Sequence, residues 1–170
     1  MATTHDLLKY LTANEVEYSL LAHGSVDSTD DLAKAVRVPA RIIVQTTLVK
    51  VDEHCWMIVT PGDRKINLAS ICKILGGNSI HACDLSDWNF YFPNCEINTM
   101  PPFGNLYGIS ILADKSLEQG RRIVFSAYSR TQSIFMRWDA YVSLAKPIVA
   151  DICGVCPTPQ FQTEQWVVEI

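Results

Sequence analysis

The chain has 170 residues, 48% of them hydrophobic and 19% charged, with a net charge of −4. Surface scaling lets a chain of this length bury about 70% of its unfolded surface, enough for one core and too little for two full domains. Its apolar content argues against intrinsic disorder, and its acidic balance argues against a free-standing protein that grips duplex DNA through many phosphates.

The longest uncharged run, Ile97 to Ala113, holds Pro101, Pro102, Gly104, Asn105 and Gly108, so it cannot be an apolar membrane helix. The N-terminal residues lack a basic segment followed by an apolar one, so no secretory signal is read. The expected location is the cytoplasm, with the six cysteines reduced.

Taken in chain order, Leu7, Leu8 and Leu11 at helical spacing predict an amphipathic helix over 4–15, capped by Thr3 or Thr4. Val16 to Leu21 is short and β-rich. Ser28, Thr29, Asp30 and Asp31 form a dense helix-start signal, and that helix runs until Pro39. Arg41 to Val51 predicts a strong strand, with Cys55 to Thr60 as its hairpin partner. Ile66 to Leu75 predicts a buried helix ended by Gly76 and Gly77. Ser79 to Cys83 reads as a short strand. A polar and aromatic stretch, Asp84 to Phe92, and an irregular loop, Pro93 to Asn105, follow. Tyr107 to Ala113, Arg122 to Ala127 and Ser133 to Arg137 predict three strands, and Asp139 opens a last helix to Lys146. Mixed helices and strands without strict βαβ alternation predict an α+β domain on a mixed sheet. One domain is expected over 1–153, with a C-terminal tail over 154–170.

General chemical motifs carry little. Cys153 and Cys156 form a CxxC, but it follows the last helix and precedes Pro157 and Pro159, whereas a redox CxxC opens a helix after a strand. A zinc site needs two further ligands, and only His81 and Cys83 form a close His/Cys pair. The zinc deaminase signature, the nucleophile elbow, the P-loop and the dinucleotide fingerprint are all absent. No metal and no cofactor are expected.

Seven ordered segments carry a resemblance. They are DLAKAVRVP (31–39), RIIVQTTLVKV (41–51), MIVTPGDRKINLASICKILGG (57–77), CEINTMPPFG (95–104), GISILADKSL (108–117), IVFSAYSRTQSI (123–134) and DAYVSLAKPIVADI (139–152). Together they resemble the YbaK family, also called the prolyl-tRNA synthetase-associated or INS editing domain, from about Leu7 to Ile152. The resemblance implies a curved mixed sheet, a partial barrel, with helices around it and a pocket at one mouth. It also implies hydrolysis of the ester of a mischarged tRNA. The partner would be a tRNA 3′ end or an aminoacyl-adenosine, with an aminoacyl-tRNA synthetase as a further candidate partner, and no membrane or duplex DNA. For so labile a bond the protein mainly positions the terminal adenosine, polarises the carbonyl and admits water.

The resemblance also implies the site. Gln45 stands where active members carry a strand Lys, which makes it the candidate catalytic position without the charge. From the residues alone, Gln45 reads either as a polar pocket wall or as a half-exposed strand glutamine bonding a neighbour. Lys50 and Lys65 are other cations in reach of a guess, but strand parity turns Lys50 to the opposite face. Asn98 and Pro102 bracket the segment that aligns with the family's Gly-x-x-x-Pro loop, and Asn94 aligns with an earlier family glycine. Asparagine tolerates left-handed backbone better than other side chains, so the loop geometry is expected to survive. Met100, Pro101, Phe103 and Gly104 are expected to line the substrate with it. His23, Ser126, Tyr128 and Ser129 complete the expected substrate-binding set. Tyr128 reads either as narrowing the pocket or stacking on adenine, or as a cover for the sheet edge. Two function classes follow: a trans-editing aminoacyl-tRNA deacylase, or a degenerate binding module for an aminoacyl-adenosine, a nucleotide or a protein.

Overall fold

Alternation in the strands sends side chains to two faces, and in this chain both faces of the larger sheet are covered. The structure, a computed structural model, describes residues 3–93, 95–96 and 98–153. Five helices occur among them: α1 (Thr4–Ala13), α2 (Thr29–Val36), α3 (Leu68–Ile74), α4 (Leu85–Tyr91) and α5 (Trp138–Ala145). Eight strands accompany them: β1 (Tyr18–Ala22), β2 (Val44–Val51), β3 (His54–Pro61), β4 (Ile80–Ala82), β5 (Ser110–Asp114), β6 (Arg122–Ser126), β7 (Gln132–Arg137) and β8 (Ile148–Ala150). The strands form a three-stranded sheet, β1-β7-β6, and a five-stranded sheet, β4-β2-β3-β5-β8. Pairings β3–β5 and β5–β8 are parallel and the others within the sheets are antiparallel, so the larger sheet is mixed. The two sheets meet in a single parallel bridge, Ile43 to Val124, and do not close into a barrel. The α+β architecture predicted from the sequence is the one observed.

The helix starts follow local chemistry. The Thr3 hydroxyl accepts from the Asp6 N–H while the Asp6 carboxylate accepts from the Thr3 N–H, a reciprocal cap for α1. Ser28 caps α2 by accepting from the Asp31 N–H at 3.1 Å. Two expectations are corrected. Arg41 and Ile42, read as the start of a strand, belong to a 3₁₀ turn, Ala40–Ile42, because the Ile42 N–H turns back to the Pro39 carbonyl at 3.1 Å. The stretch Asp84 to Phe92, left unassigned, contains α4, opened by a reciprocal cap between Asp84 and Asp87.

The core has three parts. Leu48, Met57, Val59, Ile111, Phe125, Ile134 and Met136 face one another between the sheets, joined by Leu7 and Leu11 of α1 and Tyr141 of α5. The alternate residues Val49, Val51, Ile58 and Leu112 pack against Ile71 of α3. Ile43 and Val124, at the bridge between the sheets, lie under Leu32 and Ala33 of α2. Each side chain in these clusters that is removed from water contributes roughly 1.5–3 kcal/mol. None of the described helices is long and apolar enough to cross a membrane.

Candidate active site

β2 and β6 run side by side in parallel at Ile43 and Val124, and pair no further. Two residues beyond the bridge, on the same face as Ile43 and Val124, stand Gln45 and Ser126. Ser126 is the direct ladder partner of Ser133. Four polar or polar-capable positions therefore converge where the strands diverge: Gln45, Ser126, Ser133 and, through a hydrogen bond, His23.

That bond has a defined polarity. The His23 Nδ1 lies 2.8 Å from the Gly24 carbonyl, which can only accept, so Nδ1 carries the proton. In the neutral ring Nε2 is then the acceptor, and the Ser133 hydroxyl donates to it at 2.9 Å. Ser133 is fully buried, so His23 satisfies a hydroxyl that would otherwise be orphaned. Gln45 and Ser126 are partly exposed. Among the described residues no buried side-chain nitrogen or oxygen lacks a partner, so the polar groups here are either paired or presented to solvent.

Three loops border this point. The segment after β1 is held by the His23 N–H to the Thr131 carbonyl, 3.0 Å, and the Val26 N–H to the Arg130 carbonyl, 3.1 Å. Arg130 pairs with Asp27 on that segment and, through Nε at 2.8 Å, with Glu96 on the loop before β5. The Tyr128 N–H donates to the Thr99 carbonyl at 2.9 Å, which docks the same loop on the end of β6. Asn98 has φ of 66°, a left-handed backbone that favours glycine and that Asn tolerates best after it.

The expected site residues divide into two groups. Gln45 and Ser126 follow the β2–β6 bridge, and His23 reaches the same place through Ser133, the ladder partner of Ser126. Ser129 sits in the adjoining turn, where its hydroxyl accepts from the Thr131 N–H at 3.1 Å. Met100, Pro101, Pro102, Phe103 and Gly104, expected to line the substrate, are all buried. Phe103 packs edge-on against Tyr10, Phe125 and Tyr141, and the Tyr141 hydroxyl donates to the Pro102 carbonyl at 2.8 Å. A Cβ on Gly104 would meet the Ile109 carbonyl oxygen at 2.8 Å, so this glycine serves close packing. The segment anchors the loop, because its apolar side chains gain from burial in the core.

Tyr128 is half-buried at the end of β6. Its ring is packed against the main core and its hydroxyl meets that of Tyr107. Burial pushes both phenols above their ordinary range, so each keeps its proton and one hydroxyl donates to the other. Lys50, on the other face of β2 from Gln45, pairs with Asp87 of α4 at 2.7 Å. That pairing, a direct hydrogen bond, raises the Lys50 pKa and commits its charge away from the cleft. Asn94 and Cys156 lie outside the described residues.

Sequence reasoning missed Ser133 and the Arg130 tie. A signal for Ser133 existed: Ser126 and Ser133 each interrupt an apolar strand run, and a buried hydroxyl in a strand needs a partner. No local signal marks Arg130, whose acids come from segments about 100 and 34 residues away.

Residues 23–144 match the family model described as the aminoacyl-tRNA editing domain. The chain is similar to the proline–tRNA ligase of Lactobacillus helveticus, with 25% identity over 127 residues, 75% of this chain and 22% of the ligase. The ligase of Lactobacillus gasseri is similar at 24% over the same shares. The chain thus spans about a fifth of the length of these relatives. A crystal structure assigned as a candidate trans-editing enzyme for prolyl tRNA synthetase shares the fold, with a TM-score of 0.76 at 14% identity over 89% of this chain and 96% of that one. With the family model matched over residues 23–144, most of its length, the chain belongs to the aminoacyl-tRNA editing domain family.

Proposed function

We propose that the chain is an aminoacyl-tRNA deacylase that hydrolyses the ester of a mischarged tRNA in trans. The observation that carries this reading is the convergence of Gln45, Ser126 and the His23–Ser133 pair where β2 and β6 part, beside the left-handed turn at Asn98. The name of the trans-editing neighbour and the ligase relatives support it.

In this reading the ester carbonyl sits against the Gln45 amide, whose two N–H donors replace the family's ammonium with dipoles. Developing negative charge on the carbonyl oxygen is met by that amide and by backbone donors of the Asn98 loop. Ser126 holds the attacking water or the ribose hydroxyl. His23, with a proton on Nδ1, orients Ser133 and stiffens the wall behind Ser126. An uncharged amide stabilises an oxyanion less than a cation does, so turnover is expected to be slow.

The test is a deacylation panel of mischarged tRNAs with wild type and Gln45→Lys. Restoring the cation should raise the rate on at least one substrate by about 10-fold or more, within the span of one electrostatic group. If wild type is already fast and Gln45→Lys is neutral or harmful, the backbone donors and the water carry the reaction. The uncharged Gln45 favours one second reading, a binding module. If neither form cleaves any substrate while aminoacyl-adenosine analogues still bind, that reading replaces the deacylase.

A further inference from the structure

Two thiols meet on the face of β2 that carries Lys50. Cys55 of β3 is the direct ladder partner of Lys50. Cys83 follows β4, and its N–H donates to the Leu48 carbonyl at 3.1 Å. Leu48 and Lys50 share a face of β2, so Cys55 and Cys83 flank the strand on that face. Their Sγ atoms lie 3.5 Å apart. Cys83 is buried and Cys55 is half-buried, in the part of the core that Trp88 and Tyr91 of α4 help to cover. Cys72 and Cys95, by contrast, donate to the carbonyls of Gly77 and Glu96. The pair is polarised. The hydrogen bond from Cys83 outweighs burial and holds the Cys55 pKa below the ordinary thiol value, and Lys50 adds to this. The same bond, together with burial, pushes Cys83 up. A partly exposed thiol with a lowered pKa is the reactive kind, and a protonated thiol beside it is placed to resolve the oxidised form.

We propose that Cys55 and Cys83 are a peroxide-sensitive dithiol whose disulfide displaces the start of α4. The Cys55 thiolate attacks one oxygen of hydrogen peroxide, the O–O bond breaks and hydroxide leaves, which gives a sulfenic acid on Cys55. The Cys83 sulfur then attacks the Cys55 sulfur, and the Cys83 proton leaves with the sulfenic hydroxyl as water. Two thiols are oxidised to one disulfide, and one peroxide is reduced to two waters. From 3.5 Å the sulfurs must approach by about 1.5 Å to reach a bond of ~2.05 Å. They reach each other across β2, so the backbone on one side has to follow. β3 is held to β2 along eight ladder pairs. Cys83 instead follows a three-residue strand at the sheet edge, and the next residue, Asp84, caps α4. That helix has no buried residue. The Cys83 side therefore yields, and the cap of α4 moves with it. A disulfide closed against its backbone is strained, and strained disulfides are readily reduced, so the change is reversible.

The experiment treats the full chain with hydrogen peroxide under native conditions. Non-reducing peptide mapping should find Cys55 joined to Cys83, and dithiothreitol should reverse the link. Cys83→Ser should stop at a sulfenic acid on Cys55 that dimedone labels. Cys83→Ala, which adds no buried hydroxyl, should do the same. Amide exchange over 85–91 should quicken about fivefold in the linked protein, the size of losing one helix cap. In Cys55→Ser the exchange over 85–91 should be the same before and after peroxide. Oxidation of Cys55 to a sulfinic acid without the link overturns the proposal, as does its pairing with a different cysteine. A link that leaves exchange over 85–91 unchanged overturns it too, and so does an equal rise in Cys55→Ser.

Discussion

Asn98 holds a backbone angle, φ of 66°, that costs an ordinary side chain about 1–2 kcal/mol and costs glycine nothing. Asn98→Gly should therefore leave stability within about 0.5 kcal/mol of wild type in urea unfolding, whereas the β-branched Asn98→Val should lose about 1–2 kcal/mol. Equal midpoints for the two variants would mean that the turn relaxes into another conformation. The left-handed tolerance of Asn98 was legible from its residue type. Tyr128 also has a left-handed backbone, φ of 58°, and nothing in a tyrosine announces it. There the backbone is set by non-local bonds: the Tyr128 N–H to the Thr99 carbonyl and the hydroxyl pair with Tyr107. The same distinction separates Gln45 from Ser133. Strand parity gave Gln45 a face, but Ser133 acquired a role only when His23, 110 residues away, came within 2.9 Å.

At the scale of elements, amphipathic helices with clear starts were readable, and a helix without a buried residue was not. None of the residues of α4 is classed as buried, so its segment has no apolar stripe to detect. Its start was encoded all the same, in the reciprocal cap of Asp84 and Asp87. Asp84→Ala should destabilise the helix by about 1 kcal/mol, seen as faster amide exchange over 85–91 with little change in the remaining strands. Slow exchange retained there would show that Lys50–Asp87 and the packing of Trp88 hold α4 without its cap. The short strand β8 was missed for a related reason. It has only three residues after Pro147, and it exists because β5 offers a parallel edge.

For the whole molecule, one buried carboxylate joins distant parts of the chain. Asp114 ends β5 with no exposed surface. Its carboxylate accepts from the Ile152 and Cys153 N–H groups, both at 3.0 Å, and from the Ser116 N–H at 3.1 Å and its hydroxyl. Burial pushes its pKa up, but these donors outweigh burial and hold it below the ordinary 3.8. A depressed folded pKa contributes stability that is fully present above the unfolded value and is lost as pH falls through the folded one. Stability should therefore be level in this respect above pH 3.8 and decline below it. Asp114→Asn should remove that part of the acid dependence. It should also cost about 2–4 kcal/mol at neutral pH, since several buried donors lose a charged acceptor. Urea midpoints from pH 3 upward check both, and an unchanged acid limb in Asp114→Asn would assign it to other carboxylates.

The sequence alone determined the periods: where 3.6 gives way to 2 and where Ser28 starts a helix, although that helix ends at Val36 on a left-handed Arg37, before Pro39. Those signals are local, because caps, turns and apolar spacing act within a few residues. It also carried the ordered segments by which the family could be recognised. Only the tertiary structure decided which face of each strand meets which helix. Both faces of the larger sheet are apolar, so alternation alone cannot say whether Gln45 or Thr46 lies toward the core. It likewise decided that Met100 to Gly104 are buried, and that β2 and β6 part after one bridge. Those outcomes depend on contacts between residues some 80 positions apart, such as Ile43 and Val124, and no local period encodes them.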